Sequence, residues 1–263
     1  MKLSIIIPVY NVDRFLRRCL DSLKIAPERF VNDVEVIIVD DGSTDESGAI
    51  LDEYAKKNPF YVIHKKNGGC CSARNVGMEI AKGDFIAHLD SDDCLSENAV
   101  ETMLDAISKH GNSYIIQTNF FMCKGGEKAL NRKNAIFDEL YTLDSLPPYW
   151  VLVWNKLYNR KFIESHNIRF NERMNYDDDA EYNIQCFRYA SVIQGYSGTT
   201  HEHYYDNDGS ITRTLNKDKL LNATVAMTEL LRQDNPPIVE RIIRERIVRK
   251  WTSKEYVKVF GGE

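Results

Sequence analysis

Several things are scarce or missing in this chain, and each narrows what it can be. No apolar stretch approaches the roughly 20 residues that span a bilayer, so no membrane-crossing helix is expected. Basic residues are not in excess: 34 Lys and Arg stand against 39 Asp and Glu, a formal charge of −5. A nucleic-acid binder would carry a basic footprint, so that partner class is excluded. The six cysteines (Cys19, Cys70, Cys71, Cys94, Cys123 and Cys186) form no C-x-x-C pair. That argues against a zinc site or disulfide staples and for reduced thiols in a cytoplasmic protein. The adjacent Cys70 and Cys71 read as small residues in a tight loop. The opening MKLSIIIPVYN lacks the long apolar run and cleavage site of a signal peptide and reads as a first strand. No internal repeat or low-complexity segment is found. What is present is an ordinary globular composition, 43% hydrophobic and 28% charged over 263 residues, enough for one large domain or one and a half ordinary ones.

The first 119 residues alternate strand and helix patterns. Leu3–Val9 and Val34–Val39 are continuous apolar runs, as expected of strands covered on both faces. Tyr61–His64, Asp84–Leu89 and Ser113–Thr118 read as further strands. Asp13–Lys24 has helical apolar spacing, and Ser43-Thr44-Asp45-Glu46 reads as a capping box opening a helix through Lys57. Helices are also expected over about Ser72–Lys82 and Glu97–Lys109. Such alternation predicts an α/β fold with a parallel sheet between helices, whose ligands bind beyond the carboxyl ends of the strands. From Phe120 to Tyr141 the pattern is mixed and polar, like a ribbon or irregular insert. Lys161–His166 and Asp177–Tyr189 read as helices, Ser191–Tyr196 and His201–Tyr205 as extended, and Asn216–Arg232 and Pro237–Trp251 as helical.

Unusual polar groups fall at the predicted strand ends: Asn11, then Asp40 and Asp41, then Asp90-Ser91-Asp92-Asp93. Three carboxylates in four residues repel one another unless a cation or N–H donors neutralise them. All-oxygen ligands suit Mg²⁺ or Mn²⁺, while a solvated acidic loop capping the next helix is the plainer alternative. The first strand ends in Pro8-Val9-Tyr10-Asn11 and not in a glycine-rich phosphate turn, which disfavours a dinucleotide-dependent dehydrogenase.

Taken together, SIIIPVYNV, VEVIIVDDGSTDES, NGGCCSARNVGMEIAKGDFIAHLDSDD, and later WNKLYNRKFI and NYDDDAEYN, resemble glycosyltransferase family 2 over roughly residues 1–215. The resemblance implies a GT-A fold, a Rossmann-like, mostly parallel sheet flanked by helices, with a helical C-terminal extension. Residues 1–215 would form the glycosyltransferase domain (1–119 nucleotide-binding, 120–215 acceptor-side) and 216–263 the extension. It further implies inverting transfer from a nucleoside diphosphate sugar, expected to be UDP-linked, with Mn²⁺ or Mg²⁺ as cofactor. The acceptor would be a saccharide or lipid-linked saccharide, in bacterial surface-polysaccharide synthesis at the cytoplasmic face of a membrane. A non-catalytic nucleotide-sugar binding module is the alternative.

Residue by residue, the resemblance assigns Asp92 as metal ligand and Asp90 to ribose or the metal's waters, with Ser91 beside them on the nucleotide. Asp93 either belongs to that set or caps the following helix. Asp40 and Asp41 match pyrimidine-binding carboxylates, and Gly42 turns the chain beneath the base. Pro8, Val9 and Tyr10 would line the base pocket, and Arg74 would contact base or ribose. Inverting transfer needs a general base. In Asp177-Asp178-Asp179 the pair Tyr182-Asn183 sets the register, so Asp179 takes the base position and Asp178 replaces the family's usual Glu, with Asp177 as N-cap. His201 and His203 alternate, and His203 would complete the metal site or touch the diphosphate. Ser210, Thr212 and Arg213 resemble a loop near the donor phosphates, and Trp154, Asn155 and Lys156 would organise the acceptor side. The basic, amphipathic Pro237–Lys258 would lie on an anionic membrane surface, pack on the domain or join a homodimer.

Overall fold

The computed structural model describes residues 1–23, 32–130, 135–147, 149–205 and 216–251, with residues 249–251 as backbone only. Its centre is β1 (Leu3–Val9), in which every residue is buried. Strands β2 (Val34–Asp40) and β4 (Phe85–His88) flank it in parallel, and β3 (Phe60–His64) pairs in parallel on the outer side of β2. Helices α1 (Asp13–Ser22), α2 (Ser47–Ala55), α3 (Cys70–Ile80) and α4 (Ala99–His110) accompany these strands in the alternation read from the sequence. Period-two alternation along β1 divides the core. Leu3, Ile5 and Ile7 join a cluster with Leu16, Leu20 and Met103, whereas Ile6 faces the opposite cluster with Ala73, Tyr182 and Ile184. On that side α3 lies close: a Cβ added at Gly77 would sit 2.5 Å from Ile6 Cγ2.

The acceptor-side half departs from simple alternation. Strand β6 runs Ile115–Lys124, well past the predicted Thr118, and does not lie beside β4. Between them β9 (Lys156–Asn159), which leads into α5 (Arg160–Ser165), inserts antiparallel to both. Its fully buried Leu157 and Tyr158 fall into opposite core clusters. The mixed stretch after Phe120 is indeed a ribbon: β7 (Glu127–Leu130) folds back on β6 through Gly125 and Gly126, both at positive φ, as a two-residue hairpin turn requires. The two extended pieces expected near the end are one strand, β10 (Val192–Tyr204), interrupted by register shifts between Gly195 and His201. Short strands β5 (Cys94–Leu95) and β8 (Leu140–Thr142) pair antiparallel with it.

One local expectation changes. The run Ser43–Glu46 is not a capping box: α2 starts at Ser47, and Asp45 accepts the Ser47 N–H at 2.9 Å. Ser43 is drawn off to the end of β1, where its hydroxyl accepts from Asn11 N–H. The helical C-terminal extension is formed by α7 (Lys217–Leu231) and α8 (Pro237–Trp251), which pack on the domain. Met227, Leu230, Val239, Ile242 and Ile243 enter the same core cluster as Tyr182 and Phe187 of α6 (Asp178–Phe187). The apolar stripe that a membrane would have received therefore faces the protein interior. On its outer side Arg241 and Arg244 pair with Asp144, Glu245 and Glu240. No helix among the described residues is long and apolar enough to cross a membrane.

Because Ile243 is fully buried, Ile243→Ala should cost about 2–4 kcal/mol, the range for an Ile truncation in a packed core. Urea unfolding measures it, and a near-neutral result would mean that α8 does not share the core.

Candidate active site

Strands β1, β2 and β4 all end on one side of the sheet, and the loops that follow them meet there. Pro8 and Val9 are buried within the strand, Val9 as a core residue; only Tyr10 of that trio opens to solvent, at 48% exposure. Asp40 and Asp41, expected at a pyrimidine base, are held by the chain's own donors. Asp40 accepts the Ser43 N–H at 2.9 Å and pairs with His64 Nδ1 at 2.8 Å. Burial pushes its carboxyl up, but the Ser43 and His64 bonds outweigh burial and hold it below the ordinary value. Asp41 pairs with Lys65 Nζ at 2.5 Å and accepts N–H bonds from Gly68 and Gly69. It ties the glycine loop to the end of β2. Gly42 turns the chain between them at φ +74, where a Cβ would meet Asn67 N at 2.9 Å.

After β4 the four residues 90–93 diverge. Asp93 is buried and does not cap α4, whose N-cap is Asn98. It bonds His203 Nδ1 at 2.7 Å and accepts the Tyr204 N–H at 2.8 Å. Burial pushes the Asp93 carboxyl up to about 6, with His203 opposing. Burial works against charging His203, yet its Asp93 partner lifts it above the ordinary range. His203 stacks on Trp154 with ring centroids 5.2 Å apart, and His201 lies 5.6 Å from the same ring, so the alternation does place both on one side. His201 is structural: Thr200 and the His88 carbonyl occupy its two nitrogens, and burial pushes it down to about 4. Arg18 of α1, which the sequence reading missed, donates to the Asp92 carbonyl at 2.7 Å and lies 3.6 Å from the Tyr204 ring centroid.

The acids that do converge come from separate stretches of the chain. Arg74 of α3, 4% exposed, donates to Asp90 Oδ1 at 2.8 Å, Asp178 Oδ2 at 2.9 Å and Asp179 Oδ1 at 3.1 Å. Two catalytic candidates on α6 thus share one guanidinium with the first aspartate after β4. Burial pushes the Asp179 carboxyl up, opposed by Arg74 and reinforced by Asp178 and Asp90, to about 7. Its second oxygen accepts the Val153 N–H at 3.1 Å. Asn183 secures the same junction, donating to the Asp179 and Val151 carbonyls and accepting from Tyr158. Beneath lies a buried aromatic floor of Phe170, Tyr182 and His88; burial, reinforced by Arg74, holds the His88 ring well below its usual pKa.

Trp154, Asn155 and Lys156 are buried, and the Lys156 ammonium donates to the Leu152 carbonyl and Asn155 Oδ1. Burial pushes Lys156 down to about 7. The trio therefore knits the loop before β9. Asp177 occupies the N-cap of α6 without a capping bond and pairs with Arg246. Ser210, Thr212 and Arg213 lie outside the described residues.

The expected set Asp90, Asp92 and His203 is not assembled, and among the described residues no three His, Cys, Asp or Glu side chains form a metal cluster. Arg74 draws Asp90 one way and Asp93 draws His203 another. The donor set nonetheless suits a hard cation. Three carboxylates meet a single guanidinium at Arg74, so acidic groups outnumber the cation there, and Asp90 of that cluster is two residues from Asp92. A diphosphate and waters are the usual source of the remaining oxygen ligands.

Residues 4–188 match the sequence profile described as glycosyl transferase family 2. The chain belongs to this family. It is 33% identical over 202 residues to the uncharacterized glycosyltransferase EpsJ of Bacillus subtilis, covering 73% of this chain and 57% of EpsJ. It is also 35% identical over 184 residues to the minor teichoic acid biosynthesis protein GgaB of the same organism, covering 68% of this chain and 20% of GgaB. Among solved structures, S. aureus TarS 1-349 in complex with UDP-GlcNAc superposes with a TM-score of 0.78 at 22% identity, over 98% of this chain and 75% of that one. That likeness establishes the GT-A type of fold, with its central sheet flanked by helices.

This family 2 site depends on Arg74 for its charge balance. Arg74→Gln should destabilise the protein by about 3–5 kcal/mol, as removal of one partner from a buried ion-pair cluster does. Burial already raises the Asp179 carboxyl against the opposition of Arg74, so without the guanidinium Asp179 holds its proton still further above the unfolded range and stability is lost as pH rises. Thermal unfolding from pH 5 to 8 should show a deficit that grows with pH; a pH-independent deficit would contradict the charge account.

Proposed function

We propose that the protein is an inverting, metal-dependent glycosyltransferase that moves a sugar from a UDP-sugar to a glycan or lipid-linked acceptor in building bacterial cell-surface polysaccharide. The work would be done on the cytoplasmic side of the membrane. The observation that carries this reading is the meeting of Asp178 and Asp179 with Asp90 on one buried guanidinium, at the carboxyl end of the parallel strands. The name of GgaB and the nucleotide sugar bound by TarS support the polysaccharide and UDP parts of the reading.

In this scheme residues 1–119 hold the donor and residues 120–215 form the acceptor side. Tyr10 stacks on the base, and Asp40 and Asp41 shape the base wall by holding the loops around Gly42 and Gly68. Asp90, Ser91 and Asp92 face the diphosphate. A divalent ion held by Asp92 and Asp90 would neutralise the charge that develops on the leaving diphosphate. Asp179 takes the proton from the acceptor hydroxyl as its oxygen attacks C1 from the face opposite the diphosphate, which inverts the anomeric configuration. Its raised pKa suits a base working near neutral pH, and Arg74 and the Val153 N–H orient its two oxygens.

Asp179→Asn should lower turnover on the order of 10²-fold or more, the loss typical of a general base. UDP binding, read by calorimetry, should persist. Near-normal turnover would leave the non-catalytic binding module as the better reading. In the wild type, kcat/KM should fall below pH 7, since protonated Asp179 cannot accept a proton; a profile flat from pH 5 to 8 would remove Asp179 from the role. A thermal-shift panel of nucleotide sugars with and without Mn²⁺ identifies the donor, which at about 100 times its Kd stabilises by roughly 2.7 kcal/mol.

A further inference from the structure

The three consecutive aspartates at the start of α6 are divided between two arginines from two helices. Arg74 of α3 holds Asp178 and Asp179, and Arg246 of α8 holds Asp177. Asp177 stands at φ +62 in the N-cap position, yet its side chain makes no capping bond. Its carboxylate is 5% exposed and accepts from both Arg246 Nη2 and Arg246 Nε, the latter at 3.3 Å. A left-handed residue at this point sets the direction in which the chain enters the helix, and hence where its first two side chains, Asp178 and Asp179, project. A first turn without its cap bond is prone to fray, and a two-toothed arginine clamp opposes that. Arg246 is itself fixed, because α8 is rooted in the core by Val239, Ile242 and Ile243. The preceding residues are held as well: Met174 is buried with Ala223 and Ala226 of α7, and Tyr176 packs against that cluster. The matched family segment ends at residue 188, so Arg246 lies outside it.

We infer that Arg246 is a positioning residue for the catalytic turn, acting through Asp177, so that the last described helix belongs to the working enzyme. The catalytic consequence rests on the transferase reading above; the clamp itself does not. Arg246→Met keeps the stem and removes the fork, and Asp177→Asn weakens the same pair from its other end while tolerating the left-handed backbone. Each should lower kcat about tenfold, as sub-ångström misplacement of a base does, with the donor KM within about twofold. The double variant should be no worse than the weaker single, since both remove one interaction. Amide hydrogen exchange over residues 178–183 should accelerate in both variants while β1 and β2 keep their protection. Unchanged exchange in this turn overturns the clamp even if no nucleotide sugar is ever turned over. Faster exchange with wild-type kcat, or losses that add in the double variant, overturns the positioning role. Should Arg246→Met fail to fold, Asp177→Asn, which leaves α8 intact, decides by the same readings.

Discussion

One guanidinium reconciles charges that the fold would otherwise force apart. Unit charges about 5 Å apart repel by about 3 kcal/mol at an effective dielectric of about 20, and Asp90, Asp178 and Asp179 all converge on Arg74. The strand end after β4 and the first turn of α6 can approach only because that cation lies between them. Arg74 is placed by α3, whose close packing on β1 at Gly77 leaves little freedom. The geometry of this acid cluster is thus an outcome of helix-on-sheet packing more than of any loop.

Around this centre, several polar groups singled out in the sequence bond to the chain's own donors and acceptors. Asp41 and Asp40 satisfy backbone N–H groups of the loops that end β2 and precede α3. Asp93 reaches across to β10 and fixes His203 against Trp154. Lys156 and Asn183 consume the carbonyls of the loop that presents the Val153 N–H to Asp179. Buried polar groups left unpaired cost about 1–3 kcal/mol each, so a site assembled from crossing loops must satisfy them internally. That requirement explains why so many acids cluster here while few face open solvent.

The alternating half of the fold was legible from residues alone. Continuous apolar runs such as LSIIIPV admit little besides buried parallel strands, and helical spacing placed α1 and α8 within a few residues. The strand ends that carry the acids followed from the same pattern. What resisted was anything set by partners distant in sequence. The β9 insertion, the long β10 and the reuse of Ser43 away from its expected cap all depend on contacts across the sheet that no local periodicity encodes.

By itself, then, the sequence determined the layered α/β scaffold and the residue types gathered at its carboxyl edge, because hydrophobic period and strand-end chemistry are local. Only the tertiary structure decided which acid meets which base. Hydrogen bonds and ion pairs act over a few ångströms, and the residues they join here, Arg74 with Asp178 or Asp177 with Arg246, lie far apart along the chain until it has folded.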